Sequence, residues 1–305
     1  MFAKLKIITS TLICGSLLLA SQSTAQTSQA SVDTAYRQSF ENWKTRLIEN
    51  RKEEWVSLAG LYWLKPGENT FGSDQTNAVV LPKGLASAGS FELMGANVTA
   101  KFLSGTQASI EGKPATTTKL VPDIAENTTV IEMGSLRMHM IVRGARVGIR
   151  VKDVDSPGIR AYRGTEFFPL NLKYRVIAKW IPSDGKRTVG VPTVLGDVEP
   201  TPVAGTAEFE IDGKKLQLTD IGGDAAKELF FVFNDLTTKT DTYPGGRFLK
   251  TGPVSSGTVV LDFNRAYSPP CAVTPYATCP LAPKENRLAV AISAGEKYDR
   301  KSGHN

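Results

Sequence analysis

The densest polar grouping in this chain lies near its C-terminal end. In Leu261-Asp262-Phe263-Asn264, strand alternation sends Asp262 and Asn264 to one side and Leu261 and Phe263 to the other. Arg265 follows, then a stretch made irregular by Pro269, Pro270, Pro275, Pro280 and Pro283, then Lys284-Glu285-Asn286-Arg287. A long irregular loop inside a compact domain is either functional or stapled for stability. Arg247, Asp262, Asn264, Arg265, Glu285, Asn286 and Arg287 are therefore expected to converge on one concavity that holds an anion or a sugar. Arginine suits that task because its planar fork pairs bidentately with carboxylate or phosphate. The competing reading is a brace: the same side chains satisfy carbonyls that the Pro-rich backbone leaves without N–H partners.

Cys271 and Cys279 lie inside that loop, and seven intervening residues permit a disulfide. No Cys-x-x-Cys or His pair accompanies them, so no metal site is expected, and no cofactor either. His139 is the one internal histidine and sits on an alternating stretch, with Arg137, His139 and Ile141 on one face and Met138, Met140 and Val142 on the other. Arg137, Arg143, Arg146, Arg150, Arg160 and Arg163 gather within 27 positions, as a solvated surface or as the wall of a pocket for an acidic ligand. Asp235 and Glu166 adjoin aromatic strand ends and are the carboxylates to consider for hydrolysis; as turn residues they would cap strands. The chain has no Gly-x-Ser-x-Gly elbow and no glycine-rich phosphate loop before a helix.

The elements that position these residues are mostly strands. Tyr36, Phe40, Trp43 and Leu47 recur at helical spacing after Asp33, so residues 26–54 read as a loose leader followed by one amphipathic helix. Residues 55–155 read as a β module, closed by a hairpin at Arg143-Gly144-Ala145-Arg146. Ser156-Pro157-Gly158 marks a boundary. Strands resume at 174–181, 207–211, 229–234, 258–263 and 288–293, and Asp212-Gly213 is a tight-turn signal, so residues 156–300 form a second β module. The fold expected is all-β: two packed modules, the first sandwich-like and the second barrel- or sandwich-like, preceded by one helix.

Several stretches resemble the bacterial family known as domain of unknown function 1684. They are Trp55 to Leu64, Gly67 to Asp74, Phe167-Phe168-Pro169, Thr242 to Leu249 and the long run Asp262 to Lys297. That resemblance implies a grouping and no activity. Phe71-Gly72-Ser73 through Val79-Val80-Leu81-Pro82, with Gly89-Ser90, also resemble a forkhead-associated sandwich. Such domains bind phosphothreonine through an Arg after the Gly, a Ser followed by His, and an Asn before a later Gly. Here Ser73 follows Gly72, Ser87-Ala88-Gly89-Ser90 has no His, and Glu111 precedes Gly112, so the resemblance implies the fold without the phosphopeptide site.

Composition sets the compartment and excludes some partners. Lys4 and Lys6, the apolar run from Ile7 to Ala20 and the small residues Ser23-Thr24-Ala25 have the layout of a signal peptide over residues 1–25. Its loss removes two of 36 basic residues and none of 30 acidic ones, leaving a net charge of +4, and no membrane span. Without a dense basic run and interleaved aromatics, nucleic-acid binding is not expected. The sequence thus points to a periplasmic or secreted protein that binds a small polar or anionic ligand, or a glycan, beside the Pro-rich loop. A carboxylate hydrolase in the same cleft is the alternative, and a structural or protein-interaction module the third; the sequence does not decide whether the protein is an enzyme.

Overall fold

The computed structural model describes residues 17–298, with side chains from residue 34 onward. The segment expected to be cleaved therefore falls largely outside the described residues. A long helix, α1 (Leu17–Arg51), opens the described chain and passes into a single π-helical turn at Lys52–Val56. It runs straight through 26–32, where a loose leader was expected. That stretch is Gln-, Ala- and Ser-rich, and no Pro or Gly interrupts residues 17–51, so nothing in it stops a helix. Within the helix the Phe40 and Trp43 rings lie 5.6 Å apart. No helix of the described residues is long and apolar enough to cross a membrane.

From Leu47 onward the chain forms a second unit built on strands, as expected for an all-β fold. Its first part stacks two sheets on one core. One sheet has six strands in the order 58–63, 146–153, 136–143, 130–133, 109–110, 113–114; the other has five, in the order 79–80, 67–72, 89–94, 97–102, 117–119. Phe71, Phe91, Val98 and Ala100 from one sheet meet Ile131, Met138, Met140, Ile149 and Val151 from the other, all fully or almost fully buried. The hairpin of Leu136–Arg143 and Arg146–Asp153 pairs Met138 with Val151 and Met140 with Ile149. The same register sets Arg137 opposite Lys152 and His139 opposite Arg150. Because side chains alternate, these four must all leave the core on the opposite face.

The second part has a four-stranded sheet in the order 214–219, 205–211, 175–182, 258–262, and two separate ribbons, 230–233 with 247–250 and 188–192 with 198–202. Its core gathers Trp180, Phe209, Phe231, Phe233, Leu261 and Phe263. The hairpin between 205–211 and 214–219 turns through Asp212 (φ 54°) and Gly213 (φ 71°), the two positive φ values that a type I′ turn requires. Ser156 to Ala161 is not an open linker: α2 (Pro157–Ala161) is one short helical turn with Pro at its start.

The strand expected at 288–293 is absent. Leu288, Val290 and Ile292 do alternate inward, but no ladder forms. The Leu288 N–H donates to the Asn234 carbonyl at 2.8 Å, the Val290 carbonyl accepts from Leu236, and the Ile292 N–H donates to the Asp235 carboxylate at 2.9 Å. A buried ion pair ties down the segment that follows. Arg51 meets Glu296 with two bonds of 2.5 and 2.6 Å, across 245 positions of sequence. Glu296 also accepts from the Ser268 N–H, and Arg51 donates to the Ser268 carbonyl.

Candidate anion-binding cleft

The seven residues expected to form a concavity do not form one. Arg247 is 1% exposed. Its guanidinium lies over the Phe233 ring and donates to Asp235 at 2.8 Å, to the Ile292 carbonyl at 3.1 Å and to the Ala294 carbonyl. Asn286 is fully buried and grips the backbone of Thr219 through both its N–H and its C=O, with a third bond to the Val232 carbonyl. Asn264 does the same for Asn171 and also donates to Asp262 at 3.2 Å. Arg265 lies 3.4 Å from Asp262. Glu285 is half-buried in a 3₁₀ turn, Lys284–Asn286. Of the seven, only Arg287 lines a principal cavity, near Asn234 and Lys239. The physical reason is the loop itself. Its prolines donate nothing and it joins no ladder, so side chains must satisfy the surrounding backbone. Asp235 is consumed in the same way, and Glu166 is an exposed residue 4.0 Å from Lys297.

The structure does build a cleft beside the Pro-rich loop, from the arginine group in the first part of the chain. The outer face of the 136–153 hairpin carries His139, Arg143, Arg150 and Lys152, and the loop at Pro270 to Pro280 faces it. A cavity of about 240 Å³ lies between them, and a second of about 540 Å³ adjoins it, sharing Glu54, His139 and Lys152. Thr278 connects the two sides. Its hydroxyl oxygen accepts from Arg143 Nε at 3.0 Å and from Arg150 Nη2 at 3.3 Å. Of the other arginines, Arg137 lines the larger cavity. Arg146 pairs with Asp197, and Arg160 pairs with Asp155 at 2.5 Å on an exposed turn. Arg163 is exposed and donates to the Arg160 carbonyl at 2.5 Å.

The cations of this cleft are not equivalent. Arg143 is held bidentately by Asp123, at 2.7 and 3.2 Å. Lys152 is paired with Glu54 at 2.7 Å. Arg150 has no carboxylate partner among the described residues, and its Nε is buried without a hydrogen bond. Burial, and then the charge of Arg143, pull its pKa down, with Asp123 opposing. His139 shows the same stress. Burial, then Arg150 and Lys152, push its pKa down to about 4 against the pull of Asp123. At neutral pH the imidazole is therefore uncharged, with one nitrogen a donor and the other an acceptor. It makes no hydrogen bond among the described residues.

Cys271 and Cys279, the expected disulfide partners, stand as neighbouring free thiols. The Cys271 N–H donates to the Cys279 sulfur at 3.2 Å. A hydrogen bond from Cys279, opposed by burial, lowers the Cys271 pKa, whereas the same contact and burial raise that of Cys279. Tyr243 donates to the Cys271 carbonyl at 3.1 Å. Among the described residues no group of His, Cys, Asp and Glu is arranged to hold a metal ion.

The family model described as "Protein of unknown function (DUF1684)" matches residues 160–297. This segment of the chain belongs to that family. The match takes in the loop side of the cleft, with Thr278 and Cys279, whereas His139 and Arg150 precede it, as do the similar segments at 55–74. Among solved structures, the NMR structure of an uncharacterized protein of Haloarcula marismortui is 32% identical, over 48% of this chain and 83% of that one, with a TM-score of 0.40. The FhaA FHA domain, crystallised with the intracellular domain of Rv3910, is 15% identical over 30% of this chain and 97% of that one. Its TM-score is 0.21, and the likeness carries no argument. No curated protein matches.

Lys152, Thr278 and Trp55 were not singled out in the sequence. A signal for Lys152 was present: it shares the hairpin face with His139 once the Met138 and Met140 side is assigned to the core. Nothing in the sequence brings Thr278 or Trp55 to the same place.

Proposed function

We propose that this protein binds a small anionic ligand in the cleft between the 136–153 hairpin and the Pro-rich loop. The observation that carries this reading is Arg150, a half-buried guanidinium that donates to Thr278, has a buried, unbonded Nε and has no carboxylate partner among the described residues. A partly desolvated cation without a countercharge favours an incoming anion, which can pair with it through charge-assisted hydrogen bonds. His139 stands beside it with a free imidazole N–H to offer. A carboxylate hydrolase has less support in this cleft, because Asp123 is committed to Arg143 and Glu54 to Lys152. We also propose that the protein is exported, on the basis of its first 25 residues.

The test is calorimetric titration of the protein with sodium acetate and sodium phosphate at constant ionic strength, with Arg150→Met as the paired variant. Saturable binding that disappears in the variant is the expected result. Equal heats in both proteins would remove Arg150 from the reading.

A further inference from the structure

The smaller cavity has a mixed lining: polar Arg150, His139 and Thr278 together with apolar Trp55, Leu58, Phe248, Pro270 and Pro280. Trp55 is held in place by stacking on Tyr267, with ring centroids 6.4 Å apart, and by Arg51 5.1 Å above its ring. The Trp55 ring is therefore a fixed part of the lining. An inorganic anion would meet the polar groups and leave the apolar side chains in contact with water.

Charge balance narrows the ligand further. Asp123 neutralises Arg143 and Glu54 neutralises Lys152, while His139 is uncharged. Arg150 is thus the one cation lining this cavity without a countercharge among the described residues. One uncompensated positive charge suits one negative charge. A dianion would bring a second that has no partner. The planar guanidinium edge matches the planar carboxylate group.

Resting on the anion reading above, we propose that the ligand is an organic monocarboxylic acid with a compact apolar body, about the size of one aromatic ring. Its carboxylate sits on Arg150, with the His139 N–H as a second donor. Its body lies against Trp55, Leu58 and Phe248. The volume of about 240 Å³ is below the usual range of roughly 300–1,000 Å³ for drug-sized ligands, so the body that lies in this cavity is compact.

The experiment is calorimetric titration with phenylacetate, acetate, phosphate and phenethylamine at constant ionic strength. The proteins are the wild type, Arg150→Met, Arg150→Lys and Leu58→Asn, each checked for folding by circular dichroism. Phenylacetate is expected to bind at least about tenfold tighter than acetate, the worth of taking one ring out of water. Phenethylamine, with the same body and the opposite charge, is expected not to bind. Arg150→Met should weaken phenylacetate by about tenfold or more, and Arg150→Lys by less, since a point charge replaces the fork. Leu58→Asn should weaken phenylacetate and leave acetate unchanged. If acetate or phosphate binds as tightly as phenylacetate and still depends on Arg150, the anion reading stands and the acid proposed here is wrong. If phenylacetate binds equally to Arg150→Met, or if no probe binds the wild type, both fail.

Discussion

Arg247 Nη2 and Asp235 Oδ2 meet at 2.8 Å with both side chains sealed from water. Asp235 also accepts from Thr237 and from the Ile292 N–H, so the pair fixes the extended segment that would otherwise be a free tail. Removing one partner leaves the other charged and buried. Arg247→Met or Asp235→Leu should cost about 3–5 kcal/mol, read as a shift in the urea midpoint. Replacing both together should cost less than the sum of the two. A variant of Arg247 with unchanged stability would mean that the guanidinium is not enclosed.

Asn286 gives a neutral counterpart. Asn286→Leu keeps the volume but strands the Thr219 N–H and two carbonyls. A loss of about 1–3 kcal/mol per stranded group is expected, and denaturant unfolding measures it. Arg287→Ala, on the exposed next residue, should shift stability by no more than about 0.5 kcal/mol.

The pH dependence of stability should carry the mark of His139. Its pKa lies near 4 when folded and near 6.5 when unfolded. Above pH 6.5 both states are neutral and the contribution is fully present. Between pH 6.5 and 4 the unfolded chain takes up a proton that the folded one refuses, so stability falls with falling pH, by on the order of 3 kcal/mol. His139→Gln should remove that component. Unfolding free energies at pH 7.5 and 4.5 for both proteins measure it, and equal pH slopes would show that His139 is not responsible.

The two thiols form an oxidisable pair. Cys271, whose pKa is lowered, loses its proton more readily than Cys279, its neighbour. Exposure to oxidised glutathione should yield a linked Cys271–Cys279 peptide, seen by mass spectrometry of an unreduced digest. Recovery of mixed disulfides on both cysteines would show that their side chains do not reach each other.

Parts of this architecture are legible in the sequence for specific physical reasons. Asp212-Gly213 announces its turn because few residues tolerate two successive positive φ values. Met138 and Met140 against His139 and Arg137 announce the two faces of a sheet. The segment from Phe263 to Tyr298 is not legible in the same way. Its backbone is held in part by the side chains of Arg51, Asp235 and Arg247, which come from distant positions, so local pattern carries little information there. Leu288, Val290 and Ile292 even imitate a strand. The cleft was half legible. The arginine group stood out, but Arg143 and Arg150 look alike in sequence, and only Asp123 beside one of them separates a braced cation from an available one.

The bond between Arg51 and Glu296 has a consequence for the order of events in synthesis. Arg51 leaves the ribosome long before its counterion, which is encoded 245 positions later. Until residue 296 is made, the site between them holds a lone cation, and its enclosure is unfavourable. The fold is thus latched by a segment made long after the residue that it closes on, like a strap threaded through its buckle late. Any product of early termination or C-terminal trimming upstream of Glu296 would lack the latch, however complete its two cores.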